Sequence, residues 1–221
     1  MTKKWLVMIL LCTQVFGMSG TQAQTRNLPD DVNATTLTRL PQLSREDLSA
    51  EGKAAYDEVV GNRPTPTTGP VSVSLYSPKI AELWSELNNY LRNDGVIERK
   101  YFELAVLVAA SEIQQQYEYS GHEPAALEFG ISQAAVDTVK HNREPMGLPA
   151  AENLIIELGR QLMREHHLDS ALFAEAVDMF GRQGVVELVT IMGDYVMVGM
   201  VLTAIDQHLP EGRTPLLPIQ D

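Results

Sequence analysis

The chain has 221 residues, with 29 Asp and Glu against 17 Lys and Arg and a formal net charge of −12. So acidic a chain, with no visible basic patch, repels phosphate backbones and anionic membrane surfaces, which excludes nucleic acid from its expected partners. Its length allows one hydrophobic core or two small ones, and its single cysteine, Cys12, excludes an internal disulfide.

Residues 1–23 read as a secretory signal peptide. Lys3 and Lys4 precede a mostly apolar stretch from Trp5 to Phe16, and small and polar residues ending Thr21-Gln22-Ala23 supply a cleavage site. That stretch is shorter than the roughly 20 apolar residues of a membrane span, with a retained anchor as the alternative. Cleavage leaves 198 residues, a charge of −14 once Lys3 and Lys4 are gone, and no thiol. The expected location is therefore periplasmic or secreted, with no membrane contact after signal removal.

Residues 24–43 read as an extended, loosely ordered arm around Leu28-Pro29-Asp30-Asp31. Ser49 is an N-cap for a short helix that Gly61 ends. Residues 62–70 contain three prolines and form a loop, and the β-branched run Val71 to Ser74 has no hairpin partner. Ser77-Pro78 starts a helix to about Asn93, with Ile80, Leu83, Trp84, Leu87 and Leu91 on its inward face, and Gly95 closes it. An apolar helix from Tyr101 follows, then a second helix carrying Tyr117, Glu118 and His122, which Pro124 kinks or delays.

Gly130 ends that helix, and Ser132 opens a short one to about His141. Pro149 begins a helix with Leu154, Ile155, Leu158, Leu162 and Met163 inward, and Asp169 caps the next through Phe180. Gly181 and Gly184 separate it from the last helix, about Val185 to His208. Apolar on nearly every side, that helix belongs at the centre of the core, and Glu187 and Asp194 argue against a membrane span. The pattern predicts an all-α bundle of seven or eight helices over residues 44–210, with 211–221 as a C-terminal tail.

Three polar groups stand out. Glu103 is the only charged side chain between Tyr101 and Ala110. Glu118 and His122, four residues apart, lie about 40° from each other on one helix face. A straight helix would hold the Glu103 and Glu118 carboxylates roughly 22 Å apart. For Glu103 to join the pair, the chain has to fold back near Ile113 to Gln116, although no Gly or Pro stands there. Glu103 is read either as half of a buried ion pair with Arg92, Arg99 or Lys100, or as a carboxylate whose burial raises its pKa or which orients a histidine. Asp194 and Tyr195 are either a satisfied core pair or part of a site. No metal is expected: His166 and His167 are adjacent and diverge on a helix, and Glu118 with His122 would need a third ligand from Glu103 or another helix.

The run YEYSGHEPAALEFGIS, the upstream Glu103, the earlier LYSPKIAELWSELNNYLR and the final FGRQGVVELVTIMGDYVMVGMVLTAIDQHLP together resemble the carboxymuconolactone decarboxylase family, which includes the alkylhydroperoxidase D-like proteins. The resemblance implies an all-helical fold, homo-oligomers, and a site formed by the Glu103 helix and the one after it. The peroxidase branch of that family uses a glutamate, two cysteines and a histidine. Here those positions fall on Glu103, Gln115, Glu118 and His122, so no sulfur is available for peroxide reduction. What the resemblance then implies is a cofactor-independent decarboxylase or lyase acting on a small cyclic or β-keto acid or lactone. Its catalytic residues would be His122, oriented by Glu118 and assisted by Glu103, with Tyr117, Gln115, Asp194 and Tyr195 around the substrate. The alternative is a non-catalytic exported protein that binds a small molecule in the same cavity.

Overall fold

The computed structural model describes residues 28–218 apart from 62, 63, 65 and 67. The signal segment and the first residues of the arm lie outside the described residues. Among those described there are eight α-helices and no strand beyond an isolated antiparallel bridge between Asn33 and Thr38. The helices are α1 (Ala50–Val60), α2 (Gly69–Ser74), α3 (Pro78–Asn89), α4 (Arg99–Glu112), α5 (Gln116–Glu128), α6 (Gln133–Lys140), α7 (Ala150–Arg160) and α8 (Ser170–Ala204).

The centre of the bundle is α4, in which every residue from Phe102 to Ser111 is buried. A helix apolar on all sides has to be surrounded, and α4 packs against α5, α7 and α8. Glu103 shares that burial and so has to find polar partners inside the protein.

The chain reverses after α4 without glycine or proline. Gln114 takes the left-handed conformation at φ 56°, its amide bonds to the Ser111 carbonyl, and the Gln115 amide bonds to the Ala110 carbonyl. This paired closure normally recruits glycine at the left-handed position, as at the end of α5, where Gly130 (φ 99°) and Ile131 bond back to Leu127 and Ala126. The Gln115 side chain then caps α5 by accepting from the Tyr117 amide. Ser49 and Ser132 cap α1 and α6 in the same way, and Pro124 is accommodated inside α5.

Four sequence expectations need correction. Residues 69–74 form α2, because Val73 packs into a cluster with Tyr117, Val198, Leu202 and Leu209, and this tertiary burial outweighs β propensity. The inward face expected for α3 holds only in part: Leu91, just past the helix, is buried and Trp84 is partly buried against the Val73 cluster, but Ile80, Leu83 and Leu87 are exposed and Ala81 is buried instead. The described part of the arm is docked, with Thr36 and Thr38 buried and the Arg39 and His208 amides bonded to Ile205 and Leu37. Only Gly181 (φ 71°) breaks α8; Gly184 sits within the helix, against Phe180 and Ile97.

By length and composition α8 could cross a membrane, but 56% of its most apolar window lies inside the protein. Glu187 and Asp194 are buried there as well, while Val186, Met197 and Met200 form an exposed stripe. The helix is therefore central along one side and open along the other.

Candidate active site

The reversal after α4 brings the two halves of the candidate site together. His122 Nδ1 lies 2.6 Å from Glu103 Oε2, and Nε2 lies 3.5 Å from Glu118 Oε2. The other Glu103 oxygen accepts from Arg99 Nε at 2.7 Å, with Arg92 Nη1 at 3.8 Å. Both readings of Glu103 thus hold in geometry, since it is an ion-pair partner and a histidine partner at once. Lys100 pairs with Glu98 instead.

The raised pKa expected for Glu103 needs correction: burial by itself would raise the carboxyl, but the contacts with His122 and Arg99 outweigh it and hold the group below its ordinary value. Burial likewise opposes charge on His122, yet Glu103 and Glu118 raise its pKa above the ordinary imidazole value. The two directions agree: the contact favours the carboxylate on Glu103 and the imidazolium on His122. The closer carboxylate is Glu103, at 2.6 Å, whereas Glu118, the one expected to orient the ring, lies 3.5 Å from the other nitrogen. Glu118 stands on the opposite ring nitrogen, and its Oε1 is buried with no hydrogen-bond partner among the described residues.

These groups open onto a cavity of about 630 Å³ bounded by the α1–α3 layer on one side and by α4, α5 and α8 on the other. Glu103, Glu118, His122, Tyr117 and Tyr195 all line it. The Tyr195 ring stands edge-on to His122, with centroids 5.0 Å apart and planes at 83°. Its hydroxyl accepts from Arg92 Nη2 at 2.6 Å, and burial raises its pKa. The Tyr117 hydroxyl lies 3.1 Å from Thr68 Oγ1.

Two residues expected around the substrate do not line the cavity. Gln115 donates to the Gly199 carbonyl at 3.1 Å and to Thr203 Oγ1 at 2.9 Å, and so ties the α4–α5 turn to α8. The crossing there is close: a Cβ on Gly199 would meet Ile113 Cδ1 at 2.2 Å. Asp194 lies behind Asn88, accepting from its Nδ2 at 3.3 Å. Burial raises the Asp194 carboxyl despite hydrogen bonds from Asn88 and Trp84.

Sequence reasoning missed Asn88, Trp84 and Arg213 as cavity residues and gave Arg92 only an ion-pair role. The signal for three of them lay in α3 and the helical turn that continues it, where polar positions 88 and 92 share a face one turn apart. Its apolar stripe was taken for the inward side. No spacing rule pointed to Arg213.

The segment that carries this site, residues 78–158, matches the carboxymuconolactone decarboxylase family profile. The match takes in less than half of the 221 residues, and over that segment the chain is similar to the family. Solved structures of similar fold include the alkylhydroperoxidase AhpD core of an uncharacterized peroxidase-related protein from Ralstonia eutropha. It is 15% identical, the match covers 81% of this chain and 98% of that one, and the TM-score is 0.63. A peroxidase-related protein from Silicibacter sp. is 14% identical over 82% and 95% of the two chains, with a TM-score of 0.62. The debrominase Bmp8, solved with 2,3,4-tribromopyrrole, is 14% identical over 77% and 91%, with a TM-score of 0.57. No curated protein matches the chain. At these identities the structures share the all-α fold, and the chemistry has to be argued from the residues of this chain.

Proposed function

We propose that the chain is a cofactor-independent acid–base enzyme, a decarboxylase or related lyase, acting on a small cyclic or β-keto carboxylic acid or lactone. The observation that carries the reading is the setting of His122. Nδ1 is held at 2.6 Å by the fully buried Glu103, which leaves Nε2 beside Glu118 at the cavity. A raised pKa makes the imidazolium a general acid near neutrality.

On a β-keto acid the bond to the carboxylate carbon breaks, carbon dioxide leaves, and the electron pair moves onto the ketone oxygen. His122 Nε2–H protonates the resulting enolate, and solvent returns the proton to Nε2. Arg92, held against Tyr195, adds positive charge beside the developing oxyanion. Lactone opening or isomerisation would use the same proton donor. Reduction of peroxide by a thiol pair is closed to this chain, because Cys12 is its only cysteine and Gln115 and Glu118 stand at the pair's positions.

The test is turnover of a panel of lactones and β-keto acids, followed by carbon dioxide release and mass spectrometry. Turnover that is lost in a folded His122→Gln protein supports the enzyme. Ligand binding without turnover supports the non-catalytic binding protein instead.

Two further proposals concern setting. Export follows from the signal-like residues 1–23. Self-association is supported by the exposed apolar side chains of Ile80, Leu83 and Leu87 on α3 and of Val186, Met197 and Met200 on α8. Those helices are joined by the Asn88–Asp194 contact. Light scattering that returns the monomer mass at micromolar concentration would remove the second proposal.

A further inference from the structure

We propose that Arg213, carried on the segment after α8, is the carboxylate-binding residue of the cavity and sets its preference for anionic ligands. This deepens the acid-substrate reading above and rests on it.

Three arginines line the cavity, and two are already committed. Arg99 donates to Glu103 at 2.7 Å. Arg92 donates to the Tyr195 hydroxyl at 2.6 Å and to Asn88 Oδ1 at 3.2 Å, with its guanidinium 4.8 Å from the Phe102 ring centroid. Arg213 makes no ion pair and no side-chain hydrogen bond among the described residues. Its guanidinium lies 4.6 Å over the Tyr117 ring centroid. Nη1 lies near Gly121, one residue before His122, at 3.6 Å from where a Cβ would stand. A planar guanidinium stacked on an aromatic ring keeps its edge donors free, the arrangement suited to a carboxylate.

The segment that carries it is pinned on both sides. Leu209 and Leu217 are buried. The Leu216 and Leu217 amides donate to Gln116 Oε1 at 3.2 and 2.8 Å, and Gln116 Nε2 donates to the Leu217 carbonyl at 2.7 Å. Arg213 is thereby fixed over Tyr117, so little ordering is left for a ligand to impose. Glu118 Oε1, buried and unpartnered in the same cavity, supplies an acceptor for a hydroxyl or enol on that ligand. The ligand class is a small acid that carries a carboxylate for Arg213 and a hydrogen-bond donor for Glu118.

Calorimetry on the full chain tests this with salicylate, phenylacetate and cyclohexanecarboxylate, each against its neutral amide. Salicylate places a hydroxyl beside its carboxylate, as an enolised β-keto acid does. The native protein is expected to bind at least one acid more tightly than its amide. Arg213→Gln lowers that acid's affinity about tenfold or more and leaves the amide unchanged, and Arg213→Lys recovers part of the loss. Three results would overturn the assignment: no preference of the native protein for acid over amide, an acid affinity untouched in Arg213→Gln, or equal loss for acid and amide, which marks a purely structural role. Because binding is read without turnover, acid binding through Arg213 together with no product from the lactone and β-keto acid panel sinks the enzymatic reading alone. Turnover with kcat/KM unchanged in Arg213→Gln sinks the Arg213 assignment alone.

Discussion

Glu103 and Glu187 are both buried glutamates on core helices, and they are satisfied in opposite ways. Glu187 takes neutral donors: the Tyr90 hydroxyl at 2.7 Å, Gln183 Nε2 at 2.8 Å and the Val96 amide at 2.6 Å. Burial would raise its carboxyl, but these donors hold it low. Nothing beside it titrates near neutrality, and its effect is to fasten the loop after Gly95 to α8. Glu103 takes charged donors, Arg99 and His122, and the second of these opens onto a cavity. Burial of a carboxylate is therefore no sign of function by itself; the nature of its partners, and whether one of them reaches a ligand-sized space, separates a structural node from a reactive one.

The comparison can be broken most sharply at His122. His122→Gln should lower turnover by about a hundredfold to ten-thousandfold with the helical circular dichroism retained; an active variant would make Glu103 a second Glu187. Glu103→Gln should act on both stability and activity. Removing one partner of a buried pair costs roughly 3 kcal/mol in urea unfolding. It also lowers the His122 pKa, so the alkaline limb of the pH–rate profile moves to lower pH.

The native pair gives a pH signature of its own. The Glu103 pKa is depressed, so its contribution is complete above the ordinary value of 4.5 and is lost as pH falls through the folded value. The His122 pKa is raised, so its contribution is complete below 6.5 and is lost as pH rises through the folded value. The pair's contribution should thus be complete between pH 4.5 and 6.5 and decline on both sides, which urea titrations at several pH values would show; in Glu103→Gln that shape should vanish.

Glu187→Gln should cost about 1–3 kcal/mol while kcat per folded molecule stays unchanged. Gln115→Ala should cost only about 1 kcal/mol, with ligand affinity preserved, because its amide ties helices together and does not reach the cavity.

Most helices were legible because their punctuation is local: Ser49 and Ser132 cap, Gly61 and Gly130 close, and Ser77-Pro78 starts α3. The reversal at Ile113 to Gln116 was inferred only because Glu103 could not otherwise reach His122. Gln114 adopts a left-handed turn that composition does not advertise, and the bonds to Ser111 and Ala110 compensate it. What failed was direction. The α3 stripe of Ile80, Leu83 and Leu87 looked inward because apolar periodicity cannot tell a core from an exposed apolar face, and the cavity then took the helix's polar side. The same blindness put Gln115 and Asp194 at the substrate, since a position beside a site on a helix says nothing about which neighbour its side chain meets. Arg213 was out of reach because its place depends on Gln116 anchoring a tail about a hundred residues downstream.

The wall of the cavity is assembled from distant parts of the polypeptide. Val59 and Pro70 come from before the family-matching stretch, Tyr195, Val198 and Arg213 from after it. A fragment trimmed to residues 78–158 would keep Glu103 and His122 yet lose the walls that α1, α2, α8 and the segment after it supply, leaving the imidazole open to water. The enclosure thus depends on nearly the whole described fold, and a truncation ahead of Arg213 would breach it.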